Sequence, residues 1–468
     1  MMKNTLAKTG LLVPGLLALV AVAALALWLG RGPGKPLAMR VPGTDQGPSG
    51  ESGGTNSILA GKLIRSDGQP ASLPGAWPQL RGPNRDGISP ETISLARSWQ
   101  TGEPRELWGV DVGEGYAGAA VLGGRVYLMD YDREKKADAL RSLSLADGRE
   151  IWRYTYPVPV KRNHGMSRTV PAVTERFVVA MGPKCHVICV DAVGGELRWG
   201  LDLVRQYGTT VPPWYAGQCP LIQDGAVILA PGGKNALLLA VDTETGKELW
   251  RSPNPRGWKM THSSVMPMEL GGERMYAYCA NNGVVGVSAK DGSILWDTTE
   301  WKISFATVPS PLILDGGRIF LSGGYNAGSL MLQLKKEDGH FVAKPVFKLD
   351  AEVFGATQHT PIFQNGHIFG VRADGKFVCL NLEGKPVWTS DPGQQFGLGS
   401  FILGDGLLYA MNDSGLLRLI EATPEKYVLL AQAQVLKGRE SWGPLALVGG
   451  RLIARDLTRM VCLDVAKR

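Results

Sequence analysis

Val241-Asp242-Thr243-Glu244-Thr245-Gly246-Lys247-Glu248-Leu249-Trp250 is the stretch from which the fold is read. An apolar run, Leu237-Leu238-Leu239-Ala240, leads into it. An Asp, a glycine turn and a short segment ending in Trp follow, which is the pattern strand, tight turn, strand. Asp242 can accept hydrogen bonds from the turn amides, and Gly246 supplies the positive φ of a tight reversal. Trp250 is the large apolar anchor of the second strand.

The same pattern returns along the chain. Trp108, Trp152, Trp199, Trp250 and Trp296 stand 44, 47, 51 and 46 residues apart, and Trp388 follows 92 further on. The skipped member falls near Phe347. Degenerate copies of the turn precede the Trp at 145–152, 190–199, 289–296 and 382–388. Between them a second pattern recurs, a glycine turn opening a strand, at Gly123-Gly124, Asp224-Gly225, Gly316-Gly317, Asn365-Gly366, Asp405-Gly406 and Gly449-Gly450. Four short strands in about 46 residues are the unit of a β-propeller. The expected fold is all-β, with eight four-stranded blades beginning near Ala117, Val170, Pro220, Val265, Ser310, Pro361, Phe401 and Pro444. The last unit lacks a Trp strand, and Glu106-Leu107-Trp108 has no blade before it. The N-terminal strand is therefore expected to complete the eighth blade and remove the ring's free edges. Trp108, Trp152, Trp199, Asp242, Gly246, Trp250, Trp296 and Trp388 are assigned to docking blade on blade.

Bulk composition agrees with a globular chain rich in turns: 44% hydrophobic, 20% charged and 61 Gly in 468 residues. The net charge of +7 is spread out, with no basic block interleaved with aromatics, so nucleic acid is not an expected partner. Cys189, Cys379 and Cys462 fall at one repeat position and read as small buried hydrophobes. Residues 1–10 form a basic segment. The apolar run 11–30 has the length of a transmembrane helix or signal anchor, with cleavage near Ala24-Leu25-Ala26 as the alternative. Residues 31–76 read as a flexible Gly/Pro/Ser linker, and 77–468 as the propeller.

Residues 240–250 resemble the tryptophan-docking motif Ala-x-Asp-x-x-Thr-Gly-Lys-x-x-Trp of the pyrroloquinoline-quinone (PQQ) type propellers, matching every fixed position. The resemblance covers 77–468 and includes the opening Trp77-Pro78-Gln79-Leu80-Arg81-Gly82-Pro83-Asn84-Arg85-Asp86-Gly87. It implies either of two kinds of protein. One is the quinoprotein alcohol dehydrogenases, periplasmic enzymes that use PQQ and calcium. The other is a non-catalytic branch similar to the assembly factor BamB.

In a propeller the segments before each innermost strand meet at the channel mouth. Here they carry Tyr116, Arg168, Trp214, Gln218, His262, His359 and Trp442, a polar and aromatic set suited to a ligand or a peptide. Calcium would need several oxygen ligands including carboxylates, and these segments offer few. The Cys-Cys pair that the family's enzymes carry is missing. No catalytic residue or metal ligand is assigned, and the six His have no paired metal spacing. The expected function is a non-catalytic scaffold in the cell envelope, anchored by its N-terminal helix with the propeller in the periplasm or outside. Its expected partners are an envelope protein, a peptide or a small ligand. The alternative is a PQQ- and calcium-dependent dehydrogenase of an alcohol or sugar.

Overall fold

The computed structural model describes residues 17–27, 56–99 and 102–467. The chain divides into two units, Met1–Gln46 and Gly47–Arg468. In the first, residues 17–27 are helical, and among the described residues no helix is long and apolar enough to cross a membrane. Of the spanning helix expected over 11–30, only this short portion is described. The basic segment 1–10 and linker residues 31–55 lie outside the described residues.

The second unit is a ring of eight antiparallel sheets. Blades 1 to 8 occupy 120–157, 172–202, 221–251, 266–298, 312–349, 362–389, 401–434 and 446–464. Each innermost strand opens at most three residues from its expected start. Strand Arg105–Asp111 pairs antiparallel with Arg459–Asp464, Trp108 opposite Cys462, so the N-terminal strand completes blade 8 as expected. Blade 1 departs from the four-strand plan. Lys62–Arg65 adds a fifth strand along its outer edge, Ile64 opposite Arg153. Residues 57–65, read as linker, are thus held on the body. Ile58 is fully buried against Gly200 of blade 2, and its carbonyl accepts from the Tyr154 hydroxyl at 2.8 Å. An apolar Ile58 and a two-residue Leu-Ile run inside a Gly/Ser-rich stretch were too short to register as structure.

The docking contact is now visible. Trp199 of blade 2 lies over Gly246 of blade 3, where a Cβ would come within 2.7 Å of the indole. The φ of +69° at Gly246 independently excludes most side chains. The Trp199 indole N–H donates to Thr243 O at 2.9 Å. Asp242 holds the turn open for it, its carboxylate accepting from the Thr245 amide at 2.8 Å and hydroxyl at 2.6 Å. Trp108 donates likewise to Leu145 O, Trp152 to Val193 O, Trp250 to Ala289 O and Trp388 to Thr423 O, at 2.9 to 3.2 Å. Phe347 takes the place of the missing Trp and packs on Gly384.

Trp296 is the exception among the assigned docking residues. Its indole N–H turns to Met275 Sδ of its own blade, 3.3 Å away, and the ring covers Gly286. The cause lies in blade 5. Its two outer strands, Gly328–Glu337 and His340–Leu349, are joined by a tight Asp338-Gly339 turn with no Asp-x-x-Thr-Gly loop to receive an indole. Trp296 still shares an apolar cluster with Leu332 and Phe341 of that blade.

A second regularity underlies the docking. In all eight blades the register of the outermost strand slips by one residue just before the docking position, leaving Leu107, Ile151, Arg198, Leu249, Leu295, Val346, Val387 and Leu430 unpaired. Such a bulge bends the strand and re-aims the following side chain. It turns the Trp inward onto the neighbouring blade and the preceding residue outward. Leu249 and Val346 are each 55% exposed for this reason, although their sequence context reads as core. All six Cys are buried and free, and burial pushes the thiols of Cys379 and Cys462 up to about 12.

Trp152 is 1% exposed, whereas Trp250 is only half-buried. Trp152→Ala is therefore expected to cost about 3–5 kcal/mol, in the range of buried aromatic truncations, and Trp250→Ala distinctly less. Denaturant unfolding of both variants checks the order; equal losses would show that burial of the indole does not set the docking energy.

Candidate functional site

The loops that enter the innermost strands form a hydrogen-bonded collar about the axis. Val170 N donates to Cys219 Sγ, Cys219 N to Ser264 Oγ, Ser264 N to Ser310 Oγ, and Ser310 N to Thr360 Oγ1, at 2.8 to 3.2 Å. Blades 7 and 8 are joined by Ser400 Oγ, which donates to Gly443 O and accepts from Leu445 N. A small polar side chain before a β-strand, as in Cys219-Pro220, Ser310-Pro311 and Thr360-Pro361, thus satisfies a buried amide of the neighbouring blade. These backbone groups fix the wall of a cavity of about 360 Å³.

One end of the channel is closed by residues 77–89, which cross it and bond to five blades. Trp77 exchanges backbone hydrogen bonds with Val121, Val173 N donates to Pro78 O, and Leu403 pairs with Gly87 and Ser89. Arg81 donates to Thr360 O at 2.6 Å and Pro361 O at 2.8 Å. Arg85, 1% exposed, donates to Pro220 O at 3.1 Å. Glu91 just beyond accepts from Gly449 N. Burial holds both guanidiniums down to about 10. Leu80 and Arg81 form part of the cavity lining on this side.

At the other end the expected mouth residues converge. Tyr116, Arg168, Trp214, His262, His359 and Trp442 all line the cavity. Tyr116 and Trp442 stack at 5.2 Å between ring centroids, and the Arg168 guanidinium lies 4.9 Å from the Tyr116 ring. The Tyr116 hydroxyl bonds to Glu440, and the Trp442 indole donates to Asp413 at 2.7 Å. Burial, aided by the adjacent Arg168 charge, holds the His262 imidazole down to about 3. Burial likewise holds His359, which bonds to Leu398 O, down to about 4. Both are neutral in ordinary buffers. Gly217 leaves its missing side chain's place to the His262 ring, since a Cβ there would lie 2.4 Å from it.

Gln218 is not part of the mouth. It is fully buried and its amide is spent on blade 3, donating to Ala230 O and accepting from Ala230 N at 2.7 Å. Its neighbours Gly217 and Cys219 face the cavity instead. Sequence reasoning also passed over Tyr325 and Phe305. Tyr325 lines the cavity, and Phe305 links it to Trp214 in an aromatic arc, with centroids 4.9 Å and 5.1 Å apart. Phe305 and Tyr325 are 57% and 45% exposed. An exposed aromatic in a loop was the available signal. Among the described residues no Asp or Glu lines the cavity, and no group of three or more His, Cys, Asp or Glu is placed to hold a metal ion.

An eight-bladed propeller with indole docking and a channel closed at one end defines the PQQ-like propeller class. The chain belongs to the family described as outer membrane protein assembly factor BamB, whose model matches residues 136–390. No curated protein sequence matches it. Among solved structures it is similar to BamB from Moraxella catarrhalis, at 14% identity and TM-score 0.55, covering 77% of this chain and 100% of that one. It is also similar to a europium-containing methanol dehydrogenase, at 12% identity and TM-score 0.59, covering 83% and 91%. A quinohemoprotein alcohol dehydrogenase from Comamonas testosteroni gives 12% identity and TM-score 0.58, covering 84% and 81%. At such identities the likeness is one of fold.

The residues present do not fit the calcium that PQQ enzymes pair with their cofactor. Calcium takes six to eight oxygen ligands, carboxylates prominent among them, and among the described residues the cavity lining supplies hydroxyl and amide oxygens but no carboxylate.

Three groups outside ordinary titration ranges, two imidazoles and one carboxyl, predict opposite pH effects. His262 and His359 are depressed in the folded chain, so their contribution is complete above about 6.5 and is lost as pH falls towards 4 and 3. Asp138, fully buried beside Tyr156 and Gly182, is raised by burial to about 8, so its contribution is complete below about 3.9 and is lost as pH rises to about 8. Unfolding free energy measured from pH 4 to 9 should lose part of its alkaline decline in Asp138→Asn and part of its acid decline in His262→Gln. Unchanged profiles would contradict both assignments.

Proposed function

We propose that this chain is a non-catalytic propeller of the cell envelope that binds a partner peptide in the blind end of its channel. The observation that carries the reading is the composition of the cavity: guanidiniums and neutral imidazoles at its wall, an aromatic arc at its rim, and no lining carboxylate among the described residues. Binding needs complementary surface and a few oriented polar groups, both of which such a pocket has. Dehydrogenation needs a base to take the substrate's proton; among the described residues the lining offers no carboxylate, and burial leaves the His262 and His359 imidazoles weak bases. The apolar run 11–30 supports placement at the envelope. The family to which the chain belongs, described as an outer membrane protein assembly factor, supports a binding role.

The test has two arms on the full-length chain. Fluorescent peptides should bind, with Trp442→Ala weakening them at least tenfold. Dye reduction with added PQQ, calcium and a panel of alcohols and sugars should stay at background. Cofactor-dependent turnover that is lost in Trp442→Ala would replace the binding reading with the quinoprotein one.

A further inference from the structure

Three features of the cavity bear on the part of a ligand that enters it. The first is that residues 77–89 cross the channel, with Leu80 and Arg81 in the lining, so a chain can enter but not run through. The second is a lining guanidinium whose hydrogen bonds are unfilled. Arg81 and Arg168 line the cavity and no Asp or Glu does among the described residues. Two carboxylates stand behind the lining: Glu440 bonds to the Tyr116 hydroxyl and attracts Arg168 without a hydrogen bond to it, and Asp413 accepts from the Trp442 indole and the Leu398 amide. Arg81 spends its donors on the carbonyls of Arg85, Asp86, Thr360 and Pro361. Arg168 does not: Nη2 reaches only Asn163 O at 3.5 Å, and Nε is buried without a hydrogen-bond partner. The third is an apolar arc at the rim, in which Trp214 and Tyr325 of the cavity wall are joined through the exposed Phe305.

Resting on the binding role proposed above, we infer that the cavity captures the carboxyl terminus of a partner polypeptide, its terminal carboxylate pairing with Arg168 and its preceding apolar side chains lying along Trp214, Phe305 and Tyr325. A blind cavity selects a chain end over a continuous strand. Of the two ends, the amino terminus is a cation and would meet Arg81 and Arg168 unfavourably. The carboxylate instead gives the Arg168 guanidinium a charge-assisted partner in a site shielded from water, where such bonds are strongest. His262 beside it stays neutral, being held down to about 3 by burial, and adds no competing charge. A free small acid would satisfy Arg168 but leave Phe305 and Tyr325 uncovered; a peptide uses both. No bond is made or broken.

The probe is a pool of N-terminally labelled heptapeptides randomised at their last five positions, prepared as free acids and as C-terminal amides. Anisotropy is read on the full-length chain. The free-acid pool should bind, amidation should weaken it at least tenfold, and Arg168→Gln should remove the difference between the pools. Phe305→Ala, at an exposed position where folding is not at stake, should weaken free-acid binding several-fold. If Arg168→Gln fails to fold, the acid-to-amide ratio on the unaltered chain together with Phe305→Ala decides. Equal binding of both pools would overturn the terminal-carboxylate assignment while leaving the binding role standing. Benzoate displacing the pool as strongly as an unlabelled free-acid peptide would also overturn it, in favour of a small acid. Binding by neither pool would remove the binding role as well.

Discussion

The ring depends on one contact repeated: an indole laid on a glycine that has no side chain to block it, with the indole N–H donating to a carbonyl of the same turn. The parts are mutually dependent. The glycine must be at positive φ to turn the chain, and must lack a Cβ to admit the ring, as at Gly246 beneath Trp199. The carbonyl would be orphaned without the indole, and the indole would be a buried unsatisfied donor without the carbonyl. The bulge before each docking position completes the device by rotating the large side chain across the blade boundary. The blades' ladder hydrogen bonds are spent within each sheet, so side chains hold the blades together: these indoles, the collar and the apolar clusters that cross the seams. Blades 4 and 5 show what happens when the receiving loop is missing: the indole finds sulfur at home, and apolar packing takes the place of the indole bond in the outer part of the seam.

The inner collar solves a different problem. Innermost strands start in tight quarters near the axis, where a backbone amide cannot find water. Ser264, Ser310, Thr360 and Cys219 each satisfy the amide of an adjacent blade while remaining small enough to leave the axis open. The cavity therefore exists because polar side chains there are short. Function can vary in the longer loops at 116, 164–168, 214, 305 and 442 without disturbing the collar, since those residues project from it rather than belong to it.

Much of the architecture was legible because the docking contact demands particular residues at a fixed interval. Trp, Gly and Asp at about 46-residue spacing mark the blades, and the unpaired Trp108 marks the closing strand. The bulges were not legible. Leu249 before Trp250 reads as two core residues in a row, whereas the slip of one register position sends the first to solvent. The mouth residues could be placed because they precede innermost strands, yet a single position decides which neighbour faces the axis, and Gln218 fell on the wrong side of it. The floor was hidden for another reason. Arg81 and Arg85 act on carbonyls of Pro220, Thr360 and Pro361, 135 to 280 residues away, and nothing local in Leu-Arg-Gly-Pro-Asn-Arg announces such partners. Lys62–Arg65 was concealed by its brevity within a polar stretch.

The closing strand has a consequence for how the chain is born. Arg105–Asp111 emerges from a ribosome long before Arg459–Asp464, the strand it must pair with, exists. Until then it has no sheet to join, and Trp108 can already settle on Gly148 of blade 1 while its other side stays bare. The arginines of the channel floor wait too, for blades 3 and 6. Nascent blades can form in succession from local hairpins, but the circle becomes a circle only after residues 446–464 have been made. A late step that joins distant segments is slow and leaves strand edges open to strangers in the meantime. Truncation anywhere in blade 8 would consequently harm the first blade as much as the last.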